Sequence, residues 1–382
     1  MAFAHYRVNY IVDDFKKQLI ILSRFTFSFN YVIMLKNDMI FGGTQMSKVY
    51  IPAGYEPILS LYDTQRAIGS IHRIFADTLG SALNLNRVSA PLFLDASTGL
   101  NDDLNGVERK VSFELKDTGT KADVVQSLAK WKRKALKDYG YRPGKGLYCD
   151  MNAIRRDEEL DNLHSVYVDQ WDWEKVITED DRNIEYLEAT VRSIVSAVCA
   201  AELAVHATYP ALNKLPLHSP KVTFITTQEL EDLYPDLDSK GRENAFVEKY
   251  GTTFLMQIGR RLRSGKPHDG RAPDYDDWDL NGDILFWNET LSCSYELSSM
   301  GIRVTPEVLD RQLHEAGCDD RRTLPFHKAL LAGELPLSIG GGIGQSRLCM
   351  LILGSAHIGE VQSSVWDENT LRECARAGIR LL

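Results

Sequence analysis

Arg347 closes a glycine run, Gly340-Gly341-Gly342-Ile343-Gly344-Gln345-Ser346, and an apolar, helix-like stretch over residues 348–353 follows it. A glycine run that opens a helix lets backbone N–H groups approach a ligand with no Cβ in the way, and a helix N-terminus favours an anion. Neither familiar nucleotide motif fits. A P-loop requires Gly-Lys-Ser/Thr, and a dinucleotide fingerprint requires a buried strand ahead of the glycines, whereas Pro336-Leu337-Ser338-Ile339 is short. Taken alone, a structural turn accounts for the run better.

Acidic residues supply a second candidate. Asp283 opens an apolar strand-like segment, 283–287, and Glu296 lies on the next, 295–304. Residues 288–294 are few enough for a hairpin-like connection. If the strands pair, Asp283 and Glu296 offer two hard carboxylates to Mg²⁺ and nucleotide phosphates; acids that merely face solvent are the plainer alternative. Strict alternation puts Glu296, Ser298 and Met300 on one face and Arg303 on the other, unless Gly301 introduces a bulge. The run His268-Asp269-Gly270-Arg271-Ala272-Pro273-Asp274-Tyr275-Asp276-Asp277-Trp278 reads as a polar loop. Residues 127–133 and 164–173 combine charge with tryptophan. Alternation sets Val166, Val168, Gln170 and Asp172 on one face, which leaves an amide and a carboxylate at the end of an apolar surface. Such a surface suits the ionic head group of an amino acid. A sheet with tryptophan packing and a polar edge would look the same.

The elements around these residues read as a mixture of helices and strands. Asp63 or Thr64 can cap a helix whose stripe is Ile68, Ile71, Phe75, Leu79 and Leu83. A strand-like segment at 87–94 contains Pro91, which belongs at an edge or bend and not in a central ladder. A second long helix is predicted over 182–209, with Pro210 stopping it. Further on come a strand at 222–225, a helix at 241–250, a stop at Gly251 and a strand at 252–258. The hairpin-like link favours an antiparallel sheet, hence an α+β fold with helices flanking that sheet.

Bulk properties bound the partners. Of 382 residues, 44% are hydrophobic and 25% charged, and no stretch approaches the roughly 18 or more uncharged apolar residues of a membrane span. The net charge of −9 opposes attraction to nucleic acid and to anionic membrane. The six cysteines form no Cys-x-x-Cys motif and fit a reducing cytoplasm; Cys199 and Cys349 read as small hydrophobes. Residues 1–45 differ in composition, with no proline and the alternating Phe25, Phe27 and Phe29. They read either as a docking or targeting extension or as a leader ahead of a start at Met46, with residues 46–382 forming the catalytic domain.

The segments SLAKWKR, LHSVYVDQWDWE, RAPDYDDW, NGDIL, ELSSMGIRV and IGGGIGQSRL closely resemble the ammonia-dependent asparagine synthetases, the aspartate–ammonia ligases built on a class II aminoacyl-tRNA synthetase-like fold. The resemblance runs from about Tyr55 to Leu382. It implies ATP-dependent formation of asparagine from aspartate and ammonia through β-aspartyl-AMP, with Mg²⁺, in a homodimer. It implies that Pro91, the Arg155 region and the glycine run ending at Arg347 correspond to the three class II motifs. Arg155 and Arg347 would then meet ATP phosphates, with Asp276, Asp283, Glu296 and Ser298 beside them and Asp283 and Glu296 holding the metal. The amino-acid pocket would comprise Asp102, Ser127, Lys132, Gln170, Asp172, Ser299 and Arg303. In it Lys132 pairs with the substrate carboxylate, and Asp102 meets either the substrate amino group or ammonia. The sequence departs from the family at Arg156, where proline is frequent, so either Arg155 or Arg156 is able to meet phosphate. Two other readings remain: a tRNA-charging synthetase, opposed by the negative charge and the span of the catalytic motifs, and a non-catalytic sensor, opposed by the full set of charged residues.

Overall fold

The Ser60 hydroxyl accepts a hydrogen bond from the Asp63 N–H and starts helix α1 (Leu61–Leu83). The helix therefore begins ahead of the expected cap at Asp63 or Thr64, and Asp63 serves in its first turn. The structure, a computed structural model, describes residues 49–102, 104 and 108–382; the expected extension at 1–45 lies outside the described residues. Ile71, Phe75, Leu79 and Leu83 are buried as the spacing predicts, joined by Ala67, while Ile68 is only partly covered. The segment around Pro91 divides into two short strands, β1 (Leu85–Arg87) and β2 (Phe93–Asp95), and these belong to different sheets. Proline thus marks the departure of the chain from one sheet to the other.

Strands β3 (Ser112–Glu114) and β4 (Lys121–Val124) complete a small antiparallel sheet with β2. Helix α2 (Ala129–Asp138) leads into β5 (Gly146–Ile154) and β6 (Tyr167–Val176), and the long helix α3 (Ile184–Thr208) follows. By length and hydropathy alone α3 is apolar enough to cross a membrane. In the fold its Leu187, Val191, Ile194 and Val198 are buried in the main core, and its exposed side carries the Glu188–Arg192 pair. Next come β7 (Thr223–Thr226), the short helix α4 (Thr227–Leu233), α5 (Ser239–Tyr250) and β8 (Thr253–Met256). Helix α4 starts at a reciprocal capping box formed by Thr226 and Glu229.

The hairpin β9 (Asp276–Asn288) and β10 (Cys293–Arg303) pairs as expected, but β9 starts seven residues before Asp283. The last part of the presumed acidic loop, Asp276 to Trp278, is therefore strand. Helices α6 (Pro306–Glu315) and α7 (Pro325–Leu331) precede β11 (Ser338–Gly344), then α8 (Gln345–Leu353) and α9 (Glu368–Arg376).

Among the described residues, eight strands form the main sheet in the order β1-β5-β6-β11-β10-β9-β8-β7, parallel only at its outer pairs, β1 with β5 and β7 with β8. The expected antiparallel α+β fold is observed, with one difference of consequence. The glycine run is not a turn or a helix-opening loop; it is β11, hydrogen-bonded to β6 on one side and β10 on the other. Period-two alternation then gives the sheet two different faces. On β6, Trp171 and Trp173 enter the core with Phe75, whose ring centroid lies 4.7 Å from that of Trp171, while Gln170, Asp172 and Glu174 project the other way. Tryptophan packing and polar display are the two sides of one strand.

Candidate active site

Glycines at 340 and 342 are required by the side chains that lie over them. A Cβ on Gly340 would stand 1.9 Å from Oε2 of Glu174, and one on Gly342 would stand 2.3 Å from Oε1 of Gln170 and 2.6 Å from Oδ1 of Asp172. The side chains of β6 cross β11 where β11 has none. They form the floor of a cleft of about 550 Å³, open at one side, which is large enough for an amino acid and a nucleotide together.

Asp102, Ser127, Lys132, Arg155, Gln170, Asp172, Asp276, Asp283, Glu296, Ser299, Arg303 and Arg347 all line this cleft. Residues spread over most of the chain thus converge on one cavity. Ser298 does not. A bulge at Leu297 lets Glu296 pair with Leu285 and Ser298 with Ile284, so the chain returns to the cleft face at Ser299, one residue later than strict alternation assumes. Glu296 and Ser299 therefore share the cleft face with Asp283, while Ser298 and Met300 turn to the opposite side and are buried. The same bulge puts Arg303 on the cleft face, because 299, 301 and 303 alternate regularly after it, so its expected placement opposite Glu296 is also corrected. Arg156 is exposed and is not among the cleft residues, which favours Arg155 of the two arginines.

One end of the cleft is buried, and most of its charged groups are paired with one another. Lys132 donates to the backbone carbonyl of Gly341 at 2.8 Å, and its Nζ lies 3.3 Å from Asp172. Arg303 donates to both Glu174 oxygens, at 2.7 Å for the closer Nη2 contact, and its other terminal nitrogen pairs with Asp276. Burial pushes the Glu174 carboxyl up, but the Arg303 guanidinium outweighs this and holds it below its ordinary range. Ser127 accepts from the Ala129 N–H and helps start α2. Asp102 is buried; its Oδ1 accepts from Leu104, and its Oδ2 has no hydrogen-bond partner.

The other end is more open. Arg155 reaches Glu158 only at 3.9 Å, and its buried Nε has no partner. Arg347 donates to the Glu296 backbone carbonyl at 2.9 Å and to Nε2 of His164 at 3.1 Å, while Nδ1 of His164 faces Asp161 at 2.9 Å. An arginine has no proton-free nitrogen, so it donates, and Nδ1–H donates to Asp161. Asp161 and His164 thereby aim the guanidinium. The N-terminus of α8 does not serve as the anion site that a glycine loop would suggest: the Ser346 N–H is taken by Asp169 at 2.9 Å. Arg347, one residue on, brings the positive charge to the cleft.

Asp283 and Glu296, the expected Mg²⁺ pair, both face the cleft. Burial, and then the Glu296 charge, push the Asp283 carboxyl up to about 7 despite Arg271. Two like charges in a partly dry cleft call for a cation. Among the described residues no cluster of three or more metal-binding side chains exists; Mg²⁺ commonly takes one or two carboxylates and completes its shell with phosphate and water, so the pair fits it. Arg271 had no assigned role in the sequence reading. It donates to Asp283 at 2.6 Å and to the Ser299 hydroxyl, and lies 4.0 Å from Asp276. Its signal was a lone guanidinium within the acidic run, which buried acids would be expected to recruit. No cysteine lines the cleft; Cys349 is fully buried and Cys199 partly so.

A family model for aspartate–ammonia ligase matches residues 62–378. The chain belongs to the aspartate–ammonia ligase family. It is 56% identical over 334 residues to the aspartate–ammonia ligase of Levilactobacillus brevis, an alignment covering 87% of this chain and 99% of the relative. With the Clostridium perfringens ligase it shares 55% over 338 residues, covering 88% and 100%. The chain is accordingly an enzyme, and family membership supports the joining of aspartate and ammonia into asparagine. Among solved structures, an asparaginyl-tRNA synthetase of Entamoeba histolytica in complex with asparaginyl-adenylate superposes with a TM-score of 0.59 at 13% identity, over 79% of this chain and 66% of that chain. The asparaginyl-tRNA synthetase of Pyrococcus horikoshii, also with asparaginyl-adenylate, gives 0.56 at 15%, over 83% and 74%. At these identities the likeness establishes the class II synthetase fold of the ligase.

Proposed function

We propose that the ligase activates aspartate with ATP. The aspartate side-chain carboxylate attacks the α-phosphorus and expels pyrophosphate, leaving β-aspartyl-AMP; ammonia then attacks the activated carbonyl and AMP departs, with one proton lost from the new amide nitrogen. The observation that carries this reading is the meeting of Arg155, Arg347, Asp283 and Glu296 with Lys132 and Asp172 on one cleft.

Lys132 holds the substrate α-carboxylate, and Asp102, with its unpartnered Oδ2, receives the α-amino group. Gln170 and Asp172 bound the floor, so the substrate's β-carboxylate points toward the open end. There Arg155 meets the α-phosphate, where charge accumulates as the carboxylate attacks, and Arg347, aimed by His164, meets the outer phosphates. Donors fixed in advance stabilise the charge that develops in the transition state more than that of the ground state. Asp283 and Glu296 would hold Mg²⁺, which neutralises phosphate charge when bound. Positioning and electrostatics supply the catalysis, and no covalent enzyme intermediate is formed.

The remaining expectations carry over as part of the same proposal: residues 46–382 as the catalytic domain, a homodimer, a cytoplasmic setting suited to free thiols, and no nucleic-acid partner given the net charge of −9. Product analysis tests the chemistry. Purified protein mixed with ATP, Mg²⁺, aspartate and ammonium should yield asparagine, AMP and pyrophosphate in equal amounts. Asparagine with ADP and phosphate would overturn the adenylate route, and AMP formation that required tRNA would overturn the ammonia-dependent one.

A further inference from the structure

One row of residues crosses the sheet under the cleft. Asp172 on β6 pairs with Gly342 on β11, Gly342 with Ser299 on β10, and Ser299 with Asp283 on β9. All four line the cleft, and the glycine is the one over which Asp172 and Gln170 lean. Lys132 stands at the same place, 3.3 Å from Asp172 and 2.8 Å from the Gly341 carbonyl. Neighbouring strands lie about 4.7–4.9 Å apart, so about one strand spacing separates the Lys132–Asp172 pair from Ser299. The two carboxylates of aspartate, with two carbons between them, span a similar distance. On the far side of that gap the cation is Arg271. It donates to the Ser299 hydroxyl and, at 2.6 Å, to Oδ1 of Asp283, with 9% of its side chain exposed. A guanidinium carries five N–H groups; these contacts use two, Asp276 at 4.0 Å is too distant to take a third, and the buried Nε has no partner.

We infer that Arg271 receives the β-carboxylate of aspartate and is the residue that distinguishes the acid from a neutral amino acid of the same shape. The inference rests on the proposed pocket, in which Lys132 holds the α-carboxylate. Among the described residues, every other lysine or arginine lining the cleft is already engaged: Lys132 there, Arg155 and Arg347 at the phosphate end, and Arg303 through all three of its nitrogens with Glu174 and Asp276. Arg271 can bind a ligand oxygen with its remaining N–H groups while keeping Ser299 and Asp283. The acid is then selected by the group that presents its attacking oxygen. A guanidinium bonds a carboxylate about twice as strongly as a neutral acceptor. Asparagine, with an amide in place of the β-carboxylate, should draw little from Arg271, which favours release of product. A guanidinium that only balanced Asp283 and supported the fold would affect both ligands alike.

The test reads binding and needs no turnover. Dissociation constants of aspartate and of asparagine are measured for the full chain by isothermal titration, without nucleotide or metal, above pH 7, where Asp283 is ionised. Arg271→Gln should weaken aspartate binding by roughly tenfold or more and asparagine binding by less than about threefold. Asp283→Asn removes the carboxylate that competes for the same guanidinium, so it should tighten aspartate binding by about threefold or more and leave asparagine binding unchanged. Should Arg271→Gln fail to fold, as judged by thermal unfolding, Asp283→Asn decides alone. Equal losses for the two ligands in Arg271→Gln, or no gain for aspartate in Asp283→Asn, overturns the inference. Wild type binding neither amino acid would instead overturn the proposed function, so the two failures are distinguishable.

Discussion

Side-chain exposure at the amino-acid end of the cleft is 2% for Lys132, 3% for Asp172, 2% for Arg303 and 0% for Glu174, whereas at the phosphate end it is 28% for Arg155, 22% for Arg347 and 43% for Glu296. The buried groups hold one another through pairs that exist without substrate. The open groups have few partners of their own, and Arg155 has almost none. A small substrate with two fixed charges can be met by a rigid socket, because each desolvated contact discriminates strongly. A triphosphate whose charge moves during reaction is better met by cations still free to be recruited. Stability and activity should therefore separate along the cleft.

The largest effect is expected at the buried end. Glu174→Ala leaves the Arg303 guanidinium short of one of its two carboxylates and should lower unfolding stability by about 3–5 kcal/mol, read from urea unfolding. A loss below about 1 kcal/mol would mean that the socket is not self-supporting. Arg155→Ala should do the converse. Its unfolding stability should stay within about 0.5 kcal/mol of wild type, while aspartate-dependent pyrophosphate release falls on the order of 10²–10³-fold. Unchanged release would remove Arg155 from the α-phosphate. Gly342→Ala sharpens the boundary between the ends, because the new methyl group meets Gln170 and Asp172 directly. It should cost about 1–3 kcal/mol of stability through overpacking, and raise KM for aspartate while leaving KM for ATP near its original value.

The smallest effect is one of pH. The folded Asp283 carboxyl titrates at about 7, above its ordinary 3.8. Between these values the folded chain binds more protons than the unfolded one, so this group's contribution to stability falls as pH rises through that window and levels above it. Only the ionised carboxylate binds metal, so apparent Mg²⁺ affinity should rise by up to about tenfold per pH unit below 7 and then flatten. In Asp283→Asn both slopes should disappear, as read by metal titration and by denaturant unfolding across pH.

The sequence made the main helices and the β9–β10 hairpin legible because each carries a clear period or turn. Two features of the site were hidden by local rules. Glycines at 340–342 look like a loop to any reading that weighs propensity, because glycine lowers strand preference; the cause of those at 340 and 342 is on β6, some 170 positions earlier, where Gln170, Asp172 and Glu174 need the space, and Gly341 makes room for Met300 on β10. Ser298 was displaced from the expected face by a bulge at Leu297, and an apolar residue between polar neighbours gives no local sign of one. Arg271 and His164 were visible as residue types but not as partners, since their meaning lies in distances to Asp283 and Arg347 that only folding sets.

The absence of side chains at 340 and 342 ties the evolution of two strands together. Any exchange at Gln170 or Asp172 that reshapes the socket for a longer or shorter acid must fit across a neighbouring backbone that has already withdrawn as far as chemistry permits. Room can be surrendered there but not gained, so a change of preferred acid toward a bulkier one would have to be made by shortening β6 side chains, with β11 left as it is.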